Sequence, residues 1–303
     1  MSGGPIAVTG GTGFVGSHLI RMAAARGHAV RALARRPQPP LAGVEWVAGA
    51  LDDDAALAKL VAGAAAVIHL AGVVTAPDRA AFAAGNVAGT AAMAAATRAA
   101  GVLRFVHVSS LSAREPGLSA YGWSKRESEG VLDGLAATIV RPPAIYGPRD
   151  TEMLELFRMA RHGFVLLPPG GRLSIVAVED LCRLLLDVVD RPGTVGALYE
   201  PDDGVEAGHS HAGLARMIGA AVGRRVRPLA VPRRVLALAS AADRAVRRGG
   251  AKLTADRVAM YSHHDWVAGA TARPPAAVWQ PEVETAAGLV ATAAWYRANG
   301  WLK

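Results

Sequence analysis

Short, almost unbroken apolar runs alternate with Ala-rich stretches of helical period through the first half of the chain. The runs at 5–8, 29–34, 45–47, 65–70, 103–108 and 136–141 hold too few polar residues for strands with one wet face, so they predict strands buried on both sides. Between them, 14–26, 54–62, 86–100 and 120–134 repeat apolar residues at helical intervals. Strand and helix in alternation predict an α/β fold, a doubly wound parallel sheet of the Rossmann type with right-handed crossovers. After Arg141-Pro142-Pro143 the rhythm breaks. A helix near 151–162, the turn Leu167-Pro168-Pro169-Gly170-Gly171, a strand at 173–177 and a helix at 179–190 lead into a hundred residues punctuated by Pro and Gly. The division expected is a sheet domain over 1–150, with 173–200 returning to it, and a smaller irregular C-terminal lobe from 151–172 and 201–303. An amphipathic helix at 232–248 sets Val235, Leu236, Leu238 and Ala239 on one side with arginines at its ends. It reads as a packed core helix, ahead of a lid or a peripheral membrane contact.

One turn in this pattern carries chemistry. Thr9-Gly-Gly-Thr-Gly-Phe-Val-Gly16 follows the first strand and opens the first helix, with Gly10, Gly13 and Gly16 in G-x-x-G-x-x-G spacing. In that context the glycines allow a tight turn, backbone approach to a pyrophosphate, and close packing of helix on strand. The helix N-terminus then presents free N–H groups and a partial positive charge to an anion. The sheet domain is thus expected to bind a dinucleotide, and the lobe a substrate.

Composition narrows the setting. With 303 residues and 51% hydrophobic content, the chain can bury a large core. Cys182 is its single cysteine, which excludes an internal disulfide and fits a reducing, cytoplasmic setting. No basic, apolar leader opens the sequence. The apolar stretch 61–76 is shorter than the ~20 residues of a bilayer span, so no integral membrane segment is expected. A formal charge of +8 raises the question of nucleic acid, but the arginines fall in small groups such as Arg35-Arg36, Arg224-Arg225 and Arg233-Arg234, without interleaved aromatics. No nucleic-acid partner is expected; anionic ligands or lipid stay open. His263-His264-Asp265 is no convincing metal site, because neighbouring side chains in a regular element point apart.

Three features fall near the strand ends where ligands of open α/β sheets bind. Tyr121-Gly-Trp-Ser-Lys125 places a phenol and an ammonium one helical turn apart, after Ser119 as N-cap. A cation beside a phenol favours the phenolate, which suits a general acid/base. Ser109 and Ser110 end the fifth strand, where a hydroxyl can bind a reacting oxygen. Asn86 opens the helix of 86–100 and reads as its cap, or as an anchor for a water beside the lysine.

Taken together, the chain resembles the extended short-chain dehydrogenase/reductases of the NAD-dependent epimerase/dehydratase superfamily. The matching pieces are Thr9 to Gly16, Val67-Ile-His-Leu-Ala71, Asn86-Val-Ala-Gly-Thr90, Arg104-Phe-Val-His-Val-Ser-Ser110, Tyr121-x-x-x-Lys125, Arg141-Pro-Pro-Ala-Ile-Tyr-Gly-Pro148, Val178-Glu-Asp-Leu181 and Trp279-Gln-Pro281 with Trp295 to Trp301. The resemblance implies Tyr121 as acid/base, Lys125 tuning it and binding the nicotinamide ribose, and Ser110, with Ser109 second, polarising the substrate oxygen. It implies cofactor contacts from Gly10, Thr12, Gly13, Phe14, Val15, Gly16, Leu51, Leu70, Ala71, Asn86, Tyr121, Lys125 and Pro142. Gly49-Ala50-Leu51 lacks the aspartate that relatives place after the third strand. The short span from Ser110 to Tyr121 departs from nucleotide-sugar epimerases, which usually carry an insertion there. Arg172 lies near the position of a phosphate-binding arginine in sugar-nucleotide enzymes, although a loop arginine is the plainer reading.

Arg35 and Arg36 end the second strand where NAD-selective relatives carry an acid. Arginine there suits a 2′-phosphate, which favours NADP with NAD second. The expectation is an NAD(P)-dependent oxidoreductase moving hydride to or from a carbonyl or secondary alcohol of a small-molecule substrate. A nucleotide-sugar epimerase/dehydratase is the alternative in the same fold, and a non-catalytic NAD(P)-binding sensor or assembly subunit the alternative outside it. A homodimer through Ala-rich helices is a further expectation.

Overall fold

The computed structural model describes residues 3–247 and 254–303. Contacts divide the chain into two units: 1–142 with 181–200 and 274–280, and 143–180 with 201–273 and 281–303.

The first unit is built on a seven-stranded parallel sheet. Its strands are β1 (Ile6–Thr9), β2 (Val30–Ala34), β3 (Val44–Ala48), β4 (Ala66–His69), β5 (Phe105–Val108), β6 (Ala137–Val140) and a last strand, Leu198–Tyr199. The order is β3-β2-β1-β4-β5-β6 and then Leu198–Tyr199, every pair parallel. The direction of winding reverses between β1 and β4, the crevice where such sheets bind ligands. β1, β4 and β5 are buried at every position, as unbroken apolar runs require.

Helices α1 (Phe14–Ala25), α2 (Asp54–Val61), α3 (Arg79–Phe82), α4 (Gly89–Ala99) and α5 (Ala120–Gly130) cover the sheet. α2 starts where the Asp53 carboxylate accepts from Ala56 N at 3.0 Å, and it buries Leu57, Leu60 and Val61. α5 is capped by Ser119, as its sequence predicts, with Gly122 N donating to Oγ at 2.9 Å. The helix expected at 86–100 begins earlier. Asp78 caps α3, a π-helical stretch covers Ala83–Ala88, and α4 continues from it. The helix expected to run to 134 ends at Gly130, with turns beyond.

The second unit packs Tyr146, Phe157, Ile218, Leu289 and Tyr296 into its own core. The strand expected at 173–177 is two. Arg172–Leu173 pairs with Asp265–Trp266 and His209–Ser210, whereas Ile175–Ala177 pairs with Ala144–Tyr146. The break is at Ser174, whose buried hydroxyl donates to Asp202 at 3.2 Å and accepts from Ala268 N. The helix Arg233–Arg247 corrects the core-packing expectation. Val235 is 50% and Leu238 72% exposed, Ala239 is exposed too, and only Leu236 of the four is half-buried; among the described side chains of this helix the buried one is Ser240.

Candidate active site

The glycine turn is shaped by collisions it avoids. Gly10 has φ +74°, and a Cβ there would lie 2.8 Å from Ala71 N. A Cβ on Gly16 would lie 2.1 Å from Gly10 O. No side chain caps α1 at Gly13 and no acid occupies its first turn, an end that suits an anion. Thr12, Gly13, Phe14 and Val15 belong to this turn, and Leu70 and Ala71 back it from the end of β4. Gly10 and Gly16 admit no Cβ, which lets strand, turn and helix pack tightly with the N-terminus of α1 uncapped, so the residues fit a dinucleotide.

From the turn a hydrogen-bonded relay crosses the crevice. Ala71 N donates to Thr9 Oγ1 (3.2 Å), and Thr9 Oγ1 donates to His69 Nδ1 (2.7 Å). His69 Nε2 donates to Thr90 Oγ1 (3.0 Å), which donates to Asn86 O (2.6 Å). Each hydroxyl both gives and takes, which assigns the proton of His69 to Nε2. Burial, and next the Lys125 charge, push the His69 pKa down to about 3, so the ring stays neutral.

Asn86 does not cap a helix. Its amide clamps the loop after β4, accepting from Val73 N at 2.7 Å and donating to Val73 O at 3.0 Å and to Ser124 Oγ at 2.8 Å. This joins the loop to α5, where Tyr121 and Lys125 stand one turn apart. Lys125 is 5% exposed and donates to Val108 O, at the end of β5, at 2.8 Å. Burial lowers its pKa to about 8, while Glu129 one turn further pulls it back up. The Tyr121 ring is half-buried, 6.0 Å from that of Phe82.

The two serines separate by role. Ser110, half-buried, receives hydrogen bonds from Ser112 N (3.2 Å) and Ser112 Oγ (2.9 Å), which leaves its own proton to give. Ser109 is buried and donates to Glu129 Oε1 at 2.5 Å. Glu129 in turn holds Arg141 in a two-pronged bond of 2.8 and 2.6 Å, and Arg141 lies 3.5 Å from the buried Glu200. The two carboxylates raise the Arg141 pKa against its desolvation. Pro142 O accepts from Leu111 N at 2.9 Å, placing it beside Ser110.

The structure therefore brings together Gly10, Leu70, Ala71, Asn86, Lys125, Ser109, Ser110 and Pro142, with Tyr121 on the same helix. Leu51 stands apart from this chain of bonds, against Gly89 at the start of α4. Arg35 and Arg36 are exposed at the end of β2, without an ion-pair partner among the described residues. Arg172 is not free for a phosphate: Nε and Nη2 donate to the carbonyls of Ala207 and Gly208 at 2.5 and 2.7 Å. His263 and His264 lie in the irregular stretch just before Asp265–Trp266, with rings 5.0 Å apart, where regular backbone would part them. Among the described residues no group of three His, Cys, Asp or Glu could hold a metal, and no helix is long and apolar enough to cross a membrane. Sequence reasoning missed Thr9, His69 and Thr90 as a relay and Glu129, Arg141 and Glu200 as a buried ion network.

Residues 6–197 match the model of the NAD dependent epimerase/dehydratase family. Along 99% of its length the chain is 37% identical to ceramide reductase of Caulobacter vibrioides, over 96% of that protein. It is 29% identical, over 65% of this chain and 67% of the relative, to a 4-hydroxy-2-methyl-3-oxo-4-farnesyl-3,4-dihydroquinoline-1-oxide ketoreductase of Stigmatella aurantiaca. Among solved structures, gox2253 superposes with a TM-score of 0.76 at 24% identity over 99% of both chains. MoeE5 in complex with UDP-glucuronic acid and NAD gives 0.73 at 22% over 98% and 100%.

Proposed function

This chain belongs to the NAD-dependent epimerase/dehydratase family of oxidoreductases, and we propose that within it the protein is an NADP(H)-dependent reductase of a ketone on an apolar, lipid-like substrate. The observation that carries this reading is the buried Lys125, held on Val108 O one helical turn after Tyr121 and beside a Ser110 whose proton is free to donate. Relatives named for ceramide and for a farnesyl quinoline oxide support an apolar ketone over a nucleotide sugar.

In this reading the N-terminus of α1, with Gly10, Gly13 and Gly16, holds the pyrophosphate, Lys125 the nicotinamide ribose, and Arg35 with Arg36 the 2′-phosphate. A bound nicotinamide supplies the hydride. Ser110 donates to the carbonyl oxygen and polarises it. Tyr121 gives its phenolic proton to that oxygen as charge develops there, and the Lys125 cation stabilises the phenolate left behind. Ser109 takes no part in binding the oxygen, because its proton is engaged by Glu129.

The test is NADPH and NADH oxidation by the purified protein against long-chain keto-amides and ketones. Turnover with NADPH that falls by about 10²–10⁴-fold in Tyr121→Phe, with NADPH binding retained, is expected. Undiminished turnover in that variant overturns the role of Tyr121. Cofactor that stays bound through turnover of a nucleotide sugar overturns the reductase reading in favour of an epimerase.

A further inference from the structure

The charge of this chain is concentrated in one segment. Residues 216–252 hold ten Lys/Arg and a single acid, Asp243, a net +9, while the rest of the chain, with 23 cations and 24 acids, is close to neutral. Within this segment Arg224, Arg225, Arg227 and Arg234 are exposed and have no ion-pair partner among the described residues. Arg216, Arg224 and Arg225 line a shallow groove of about 520 Å³.

Apolar side chains stand beside these cations, turned to solvent. The strand Arg227–Ala230 pairs in parallel with Phe164–Leu167, setting Arg227 opposite Phe164 and Leu229 opposite Leu166. Because side chains alternate across a strand, Phe164, Leu166, Leu229 and Arg227 share one face; Val165 between the first two is fully buried. The exposures of Phe164, Leu166 and Leu229 are 36, 47 and 46%. Two residues later the helix Arg233–Arg247 begins, and it is inverted for a helix in water. Val235, Leu238, Ala239 and Ala242, a stripe at i, i+3, i+4 and i+7, face out, while Ser240 is buried.

We propose that this surface, Phe164, Leu166, Leu229, Val235 and Leu238 with the arginines around them, docks the protein on the surface of an anionic lipid bilayer. Apolar residues enter the headgroup boundary and arginines meet the anionic headgroups, as in interfacial amphipathic helices. A nucleic acid matches the charge and leaves the apolar stripe without a partner. A second copy of the chain would set +9 against +9. The inference stands without the reductase reading, since it uses none of the catalytic residues.

The experiment is co-sedimentation of the full chain with phosphatidylcholine vesicles, with and without phosphatidylglycerol, over a range of salt. Binding that requires phosphatidylglycerol and weakens with salt is expected. At least a tenfold loss is expected in Val235→Asp/Leu238→Asp and, separately, in Arg224→Glu/Arg225→Glu. All altered side chains are exposed, and an unchanged melting temperature confirms that each variant is folded. No binding by the wild type, or equal binding by wild type and both variants, overturns the proposal. So does self-association abolished by Val235→Asp/Leu238→Asp without vesicles, which assigns the face to a second copy. RNA binding indifferent to that pair, with no vesicle binding, assigns the charge to nucleic acid.

Discussion

The crevice above β1, β4 and β5 and the face made by Phe164–Leu167, Arg227–Ala230 and the helix Arg233–Arg247 mix polar and apolar groups in opposite ways. In the crevice, ionic and polar side chains are buried and bonded: Lys125 to Val108 O, Glu129 to Arg141 and Ser109, His69 to two threonines. On the other face, Phe164, Leu166, Leu229, Val235 and Leu238 are exposed, and Arg227 and Arg234 have no ion-pair partner among the described residues. Buried polar groups demand their partners and so specify one arrangement, whereas exposed apolar groups constrain the fold little. The first pattern belongs to chemistry at fixed positions, the second to a surface that awaits contact.

The largest effect is expected where the buried network is cut. Glu129→Ala leaves Arg141, 6% exposed, with Glu200 alone, and frees the hydroxyl of Ser109. Removing one partner of a buried pair costs about 3–5 kcal/mol. Urea unfolding measures it, and a loss below about 1 kcal/mol would show that water reaches Arg141. Next comes Gly16→Ala, where a Cβ 2.1 Å from Gly10 O must open the turn. Loss of NADPH binding, read by fluorescence titration, is expected with the fold retained by circular dichroism. Retained binding would mean that the pyrophosphate lies elsewhere.

These two predictions draw on different kinds of legibility. The glycine turn, the Tyr121–Lys125 pair and the Ser119 cap are each written within a few consecutive residues, and the structure places them where the local pattern indicates. The sheet was legible because its strands are buried on both faces and read as apolar runs. The ion network was not, because Glu129, Arg141 and Glu200 sit on three elements that only the sheet order brings together. His69 and Thr90 read as ordinary residues of a strand and a helix until β4 is set beside β1. The cap reading of Asn86 failed for the same reason: its partners, Val73 and Ser124, lie 13 and 38 residues away. The outward stripe at Val235 and Leu238 was misread because periodicity gives a helix an apolar side and says nothing of where that side points.

A smaller effect sharpens the electrostatics of the crevice. Lys125, with its pKa lowered to about 8, is charged below that pH and loses its proton above it. The reduction rate is expected to be flat from pH 6 to 7 and to fall as pH rises through about 8, because neutral lysine no longer stabilises the phenolate. Glu129 raises this pKa, so Glu129→Gln, which keeps an amide oxygen for Arg141, is expected to move the break to lower pH. A break that stays in place would separate the pH dependence from Lys125. Arg35→Glu comes after it, with about a tenfold loss of NADPH affinity against NADH, equal to about 1.4 kcal/mol. Unchanged preference would move the 2′-phosphate away from the end of β2.

The smallest effect is expected on the other face, and it tests the comparison most directly. Leu238 is 72% exposed, so Leu238→Ser removes little apolar surface that folding had taken from water. Surface substitutions of this kind fall within about 0.5 kcal/mol. The unfolding free energy of the variant in water should therefore match the wild type. A loss of about 2 kcal/mol or more would mean that Leu238 packs within the folded chain in solution, and the contrast between a bonded crevice and an unpartnered face would fail at the residue where it is sharpest. An unchanged stability leaves Leu238 with no part in folding, so its exposure requires an explanation outside the isolated chain.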